Sequence, residues 1–196
     1  SGQKDVAGHG ALPLDGVCVL ELAEGVAGPF CARLLADMGA QVTRIERPAT
    51  GDVTRRSGPF PNDEPHPERS GLYLYLNVNK RGITLDIQYH TGMRLFQELV
   101  ARCDLLVETT PPGYLEGLGA GPAQLRQTHP ALIVASITPF GQTGPRRHFK
   151  TTDLVTFNVG GIANGTPGFP DFAEDPEKEP PLKPSGPVAG LAVGSV

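Results

Sequence analysis

Val17-Cys-Val-Leu-Glu-Leu22, Gly25-Val-Ala-Gly-Pro-Phe30 and Gln41-Val-Thr-Arg-Ile-Glu46 are the stretches whose reading decides the fold. The first is a short, mostly apolar run between Gly16 and Gly25, as expected of a strand buried on both faces. Over 30–38, Phe30, Leu34, Leu35 and Met38 fall at helical spacing. Pro29 suits the first turn of that helix, where its missing N–H costs nothing, and Gly39 stops it. The third stretch reads as a second strand. Strand, helix and strand within so few residues form a βαβ unit, which is right-handed and has parallel strands.

The same alternation continues outward. Residues 48–70 read as loop, and 72–76 as a short strand or extended segment. Arg81-Gly-Ile-Thr-Leu-Asp86 reads as a strand and 91–103 as an amphipathic helix with Met93, Phe96, Leu99 and Val100 on one face. Asp104-Leu-Leu-Val-Glu108 is a further strand, 115–128 holds a short helix, and Ala131-Leu-Ile-Val-Ala-Ser-Ile137 is the last clear strand. The expected fold class is therefore α/β, with an open, mainly parallel, Rossmann-like sheet and helices on both faces. Regularity fades after Thr138. A helix is expected over 153–162, followed by a Pro/Gly-rich irregular C-terminal arm. The expected organisation is a polar lead-in over 1–11 without fixed structure, an α/β domain over 12–150, and over 151–196 a loop-rich arm that ends in the first turns of a helix.

Composition narrows the function classes. Lys and Arg number 17 against 21 Asp and Glu, a formal net charge of −4. That balance argues against a partner such as nucleic acid or an anionic membrane surface, both of which attract basic surfaces. It leaves room for a local basic pocket. No stretch approaches the roughly 20 apolar residues of a membrane-spanning helix. Cys18, Cys31 and Cys103 have no metal-type spacing and lie among apolar residues. They read as buried free thiols of a cytoplasmic protein, and no Cys-His cluster suggests zinc or another metal.

The turn Glu24-Gly-Val-Ala-Gly-Pro29 lies where a Rossmann protein binds pyrophosphate, but the fingerprint needs three glycines and only Gly25 and Gly28 are present. A tight turn into a helix is the better reading of this segment, despite Glu46 about twenty residues on. Other motifs point elsewhere. Ala27-Gly-Pro29 is followed by Leu35-Ala-Asp-Met-Gly-Ala40, Arg44-Ile-Glu-Arg-Pro48 and Gly51-Asp-Val-Thr-Arg55. Later come Asn77-Val-Asn-Lys-Arg81 with Leu85-Asp86, Pro112-Gly113 with Gly117-Leu118, and Phe140-Gly-Gln-Thr-Gly-Pro145. In order and spacing, over residues 12–191, this series resembles the N-terminal half of the class III (CaiB/BaiF) CoA-transferases. That superfamily includes formyl-CoA transferase, carnitine CoA-transferase and α-methylacyl-CoA racemase.

The resemblance implies coenzyme A, bound as an acyl-CoA substrate, and transfer of CoA to a free carboxylic acid. It implies that Arg47 lies near the nucleotide end of CoA, that Leu85 lines the adenine pocket, and that Lys150 is at the CoA site. Arg55, Lys80 and Arg81 are further candidates, expected in loops, because a 3′-phosphate and a pyrophosphate need cations. Departures are visible too. The Asn and Phe that follow Glu in the family are Thr109 and Thr110, the later basic residue is Gly117, and Gln88 replaces a Lys of formyl-CoA transferase.

The largest departure concerns catalysis. Family members use an Asp shortly before Ala-Gly-Leu as nucleophile, which splits one difficult exchange into two easier ones. Here the segment is Pro184-Ser-Gly-Pro-Val-Ala-Gly-Leu191, with no Asp; aligned without a gap, Gly186 holds its place, and a short deletion explains the segment equally well. Asp153 is a weak substitute, better read as a helix N-cap. The racemase His position is Thr152, so racemase chemistry is not expected. The resemblance further implies a homo- or hetero-oligomer, in which a partner subunit supplies the catalytic Asp or the other half of the fold.

Overall fold

The computed structural model describes residues 12–161 and 188–194. Five parallel strands form one sheet: β1 (Cys18–Leu22), β2 (Gln41–Glu46), β3 (Lys80–Thr84), β4 (Leu105–Glu108) and β5 (Ile133–Ser136). Their order is β3-β2-β1-β4-β5, so the chain runs outward from β1 on one side, crosses back, and continues on the other. The helices are α1 (Ala27–Asp37), α2 (Gly71–Leu76), α3 (His90–Val100), α4 (Tyr114–Gly117), α5 (Pro122–Thr128), α6 (Asp153–Val159) and α7 (Val188–Gly194). The expected α/β class, parallel sheet and helices on both faces are all present. The 1–11 segment and most of the Pro-rich arm lie outside the described residues.

The apolar runs of β1 and β4 are explained by burial on both faces. Leu20 and Leu106 pack with Phe96 and Val100 of α3 and with Leu115 and Leu125 beyond it. Val19 and Val107 face the opposite way, onto Ala32 and Ala36 of α1. Adjacent strand residues point to opposite faces, so a continuous apolar run is the pattern that two covered faces require.

Gly28 sets how closely α1 approaches the sheet. A Cβ there would lie 2.5 Å from both the Ala23 Cβ and the Thr109 Cγ2. Gly28→Ala is therefore expected to destabilise the fold by roughly 1–3 kcal/mol through overpacking, read as a lower thermal unfolding midpoint.

Two elements differ from expectation: the single helix expected over 115–128 is divided into α4 and α5, and the 72–76 segment is helical. Residues 72–76 alternate Leu and Tyr, as a strand would, yet they lie in α2. The Ser70 hydroxyl accepts the Tyr73 N–H at 3.1 Å and caps the helix, while donating to the Thr54 carbonyl at 2.6 Å. A buried cap outweighs a short alternation. The structure also moves Lys80 and Arg81 out of a loop: they are the first two residues of β3, paired with Val42 and Thr43 of β2.

Beyond β5, α6 and α7 pack together and α7 returns to α1. A Cβ on Gly190 would stand 3.0 Å from the Val26 Cβ, so α7 meets the start of α1 at close range. Thr152 occupies the position before α6, and Asp153 is its first residue. The N-cap position is thus one residue earlier than the sequence suggests. The Asp153 carboxylate instead accepts the Gly190 N–H at 3.1 Å and joins α6 to α7.

Candidate active site

In an open parallel sheet, the crevice at the carboxyl ends of the strands where the chain reverses direction is the natural ligand site. Here the reversal falls between β1 and β4. Two clefts open at that point. The first, of about 230 Å³, is bounded by the ends of β1, β2 and β4 and by the residues after β3. Arg47 and Leu85, far apart in sequence, both line it, together with Asp86 and Tyr114. β2 delivers Arg47 at its end, and β3, paired in register with β2, delivers Leu85 beside it: the Leu85 N–H donates to the Glu46 carbonyl at 3.0 Å. Arg47 is exposed and makes no ion pair among the described residues. Leu85 is half-buried against the core.

The second cleft, of about 370 Å³, lies between β1, β4 and β5 on one side and α6 and α7 on the other. Val26, Ala27, Thr151, Asp153, Ala189 and Gly190 are part of its wall. Glu24 and Thr109 line both clefts, so these two residues form the ridge between them. The ridge is held by the Glu24 N–H, which donates to the Thr109 Oγ1 at 2.9 Å. Thr110 is pinned in turn, its N–H and hydroxyl each donating to the buried Glu108 carboxylate at 2.6 Å. Gln142 donates to the other Glu108 oxygen at 3.3 Å and ties the 140–145 motif to the end of β4. The replacements Thr109 and Thr110 are thus built into the site.

The other candidate cations are elsewhere. Lys150 is exposed and outside both cleft walls. Arg81 is exposed at the start of β3. Arg55 is engaged: its Nε and Nη2 donate to Glu46 at 2.9 and 2.7 Å, its Nη1 to Glu68 at 2.8 Å, and its guanidinium stacks 3.8 Å from the Tyr73 ring centre. The Glu46 carboxylate, with Glu68, holds Arg55 above its ordinary pKa. The Lys80 side chain is 2% exposed and pairs with Glu21 at 2.8 Å. Gly186 lies outside the described residues.

Sequence reasoning passes over Arg44. It is 1% exposed, pairs with Glu21, and donates from Nη2 to Asp52 at 2.5 Å and from Nη1 to Asn77 at 2.8 Å. The Arg44-Ile-Glu46 and Gly51-Asp52 motifs carry the signal, but nothing in a single sequence says that charges eight residues apart turn inward together. The three thiols are half-buried, and Cys18 and Cys103 stand 3.9 Å apart. Burial and the neighbouring Cys18 push Cys103 up to about 12. Among the described residues no group of three or more His, Cys, Asp or Glu could hold a metal ion, and no helix is long and apolar enough to cross a membrane.

Comparison with known proteins decides the family. A model of CoA-transferase family III matches residues 14–195. This chain belongs to CoA-transferase family III. It is 38% identical over 183 residues to succinyl-CoA:glutarate CoA-transferase of Mus musculus, covering 93% of this chain and 39% of that protein. It is 40% identical over 168 residues to the succinyl-CoA–L-malate CoA-transferase beta subunit of Chloroflexus aurantiacus, covering 81% and 40%. Among solved structures it is similar to a CAIB/BAIF family protein from Brucella suis, with a TM-score of 0.78, 35% identity, and coverage of 95% of this chain and 47% of that one. The chain therefore spans about two fifths of the length of these curated relatives.

Proposed function

We propose that this chain is the CoA-binding half of a class III CoA-transferase, which moves CoA between an acyl-CoA and a free carboxylic acid. The observation that carries the reading is the first cleft. It brings an arginine with no ion pair among the described residues, Arg47, and an apolar wall at Leu85 together at the switch point of the sheet. Arg47 meets phosphate at the nucleotide end of CoA, and Leu85 packs against adenine. Lys150, Arg55, Lys80 and Arg81 contribute less: Arg55 and Lys80 are committed to carboxylates, while Lys150 and Arg81 stand outside the clefts. The 12–150 segment acts as the CoA-binding domain. The 151–196 segment forms the second wall, through α6 and α7, and the acyl group sits between them and the ridge. The setting is cytoplasmic, in keeping with three free thiols.

Calorimetry tests this directly. CoA is expected to bind in preference to NAD. Arg47→Ala is expected to weaken CoA binding by roughly 1–3 kcal/mol, the range for a charge-assisted contact to phosphate. NAD binding without CoA binding, or an unchanged CoA affinity in the Arg47 variant, would overturn the reading.

A second reading is favoured by Gly186, which stands where the family nucleophile is expected. In that reading the chain is a non-catalytic subunit that binds CoA and supports a partner carrying the Asp; relatives named as subunits, such as the beta subunit above, make a hetero-oligomer a natural form. The isolated chain is then expected to bind CoA but give no exchange between an acyl-CoA and a labelled acid, Asp153 being committed to Gly190. Turnover by the isolated chain would refute the subunit reading and leave the first.

A further inference from the structure

We propose that the buried chain of charges Asp52–Arg44–Glu21–Lys80 positions the 25–29 turn between the two clefts, with Asp52 and Lys80 as positioning residues that grip its two ends. Asp52 Oδ2 accepts the Gly25 N–H at 3.1 Å. Lys80 Nζ donates to the Pro29 carbonyl at 2.7 Å. Between them the chain is continuous: Asp52 to Arg44 at 2.5 Å, Arg44 to Glu21, and Glu21 to Lys80 at 2.8 Å. Asn77 ties the two cations together, accepting from Arg44 at 2.8 Å and from Lys80 at 3.1 Å. The turn they grip carries Val26 and Ala27, which face the second cleft, and follows Glu24 on the ridge.

The arrangement is costly for mere packing. All four side chains are within 2% of complete burial, and charges out of water are stabilised only when fully partnered. An apolar contact would hold α1 on the sheet at less cost. What directional partners add is fixed placement of two backbone groups, one at each end of a five-residue segment, as a preorganised site needs.

The grip depends on protonation. Lys80 faces Glu21 on β1, Arg44 on β2, Asp52 in the following loop and the Cys31 thiol on α1. Burial pushes Lys80 down to about 8, and Arg44 adds to that, against the opposing pull of Glu21 and Asp52. The ammonium donates to two acceptors, the Pro29 carbonyl and Asn77 Oδ1, and its charge pairs with Glu21 at 2.8 Å. Above pH 8 the neutral amine loses its ion pair with Glu21, and its bond to Pro29 is no longer charge-assisted, so the Pro29 end of the grip slackens.

The inference takes the clefts to be the CoA site, and its test keeps the two apart. Hydrogen exchange is followed by mass spectrometry on the full chain at pH 7 and pH 9, corrected for intrinsic rates, for the wild type, Lys80→Met and Lys80→Arg. Amides of the 25–30 segment are expected to exchange about tenfold faster in Lys80→Met at both pH values, and in the wild type only at pH 9, the scale of one lost net hydrogen bond. Lys80→Arg, always charged, is expected to stay protected at both. CoA affinity is measured on the same samples and is expected to fall with the loss of protection. Unchanged protection of 25–30 in Lys80→Met, or an equal rise throughout β1 and β4, overturns the grip. If Lys80→Met does not fold, the wild type and Lys80→Arg carry the comparison: a pH 9 loss seen in both, or in neither, refutes it. Protection that follows Lys80 in a chain that never binds CoA upholds the grip and refutes the CoA reading instead.

Discussion

Arg44→Met is expected to lower the free energy of unfolding by about 3–5 kcal/mol, the range for breaking a buried ion pair by removing one partner. The substitution keeps most of the side-chain volume, so the loss does not come from a cavity. It comes from Asp52, within 1% of full burial, which loses its cation and remains as a buried carboxylate, and from Glu21, which is left with Lys80 alone. Burial alone would lower the Arg44 pKa; Glu21, Asp52 and Glu46 reverse that and hold it above its ordinary value. Chemical denaturation at neutral pH measures the loss. A double variant, Arg44→Met with Asp52→Asn, is expected to recover part of it, because the stranded charge is then gone while Glu21 keeps Lys80. A loss below about 1 kcal/mol would put the network in the class of solvated surface pairs and contradict its burial.

Acid is expected to unfold this protein through Glu46. Burial raises its pKa, but hydrogen bonds from Arg55, Tyr73 and the Asp52 N–H, with Arg44 nearby, outweigh that and hold it at about 2, against 4.5 for the free group. The folded state therefore binds this proton less tightly than the unfolded chain. The contribution to stability is complete above pH 4.5 and is lost as the pH falls from 4.5 towards 2. With about 1.4 kcal/mol for each pH unit between the two values, it amounts to about 3 kcal/mol. Glu46→Gln is expected to be less stable at pH 7 by an amount of that order, and nearly level with the wild type at pH 2. Parallel pH–stability curves for the two proteins would show that Glu46 is not the acid-sensitive group. Tyr73 belongs to the same cluster: burial and the adjoining Glu46 carboxylate push it up to about 12, so it stays a donor throughout this range.

Much of the fold is legible in the sequence because parallel sheets covered on both sides write themselves as short apolar runs. Val19 and Leu20, or Leu106 and Val107, are adjacent and apolar because each of the pair meets a different layer of helices. The 72–76 segment misleads because its Leu/Tyr alternation is local, while the deciding group, Ser70, is held by carbonyls of Thr54 and Ser57 earlier in the chain. The candidate site is legible only through resemblance. Arg47 and Leu85 are 38 residues apart and become neighbours because β3 adds in parallel beside β2. Lys80 and Arg55 look equivalent to Arg47 in sequence, since charge and position near a motif are all a sequence shows. Which cations meet a carboxylate inside the fold depends on contacts such as Lys80 with Glu21, 59 residues apart.

By itself, the sequence determined most of the elements and their order, the 72–76 segment excepted. The apolar runs, the Gly-Pro start of α1 and the glycine stop after it act over one or two turns of chain, so local chemistry is enough to specify them. It also determined the negative balance of charge. Only the tertiary structure decided which charges are free and which are spent. The same residue type is an exposed group with no ion pair among the described residues at Arg47 and a fully buried tie at Arg44, although two residues of one segment separate them. The reason is geometric. Successive side chains at a strand end face different surroundings, and the partners that neutralise Arg44 come from β1 and from the loop beyond β2, brought together by parallel pairing that no local pattern encodes.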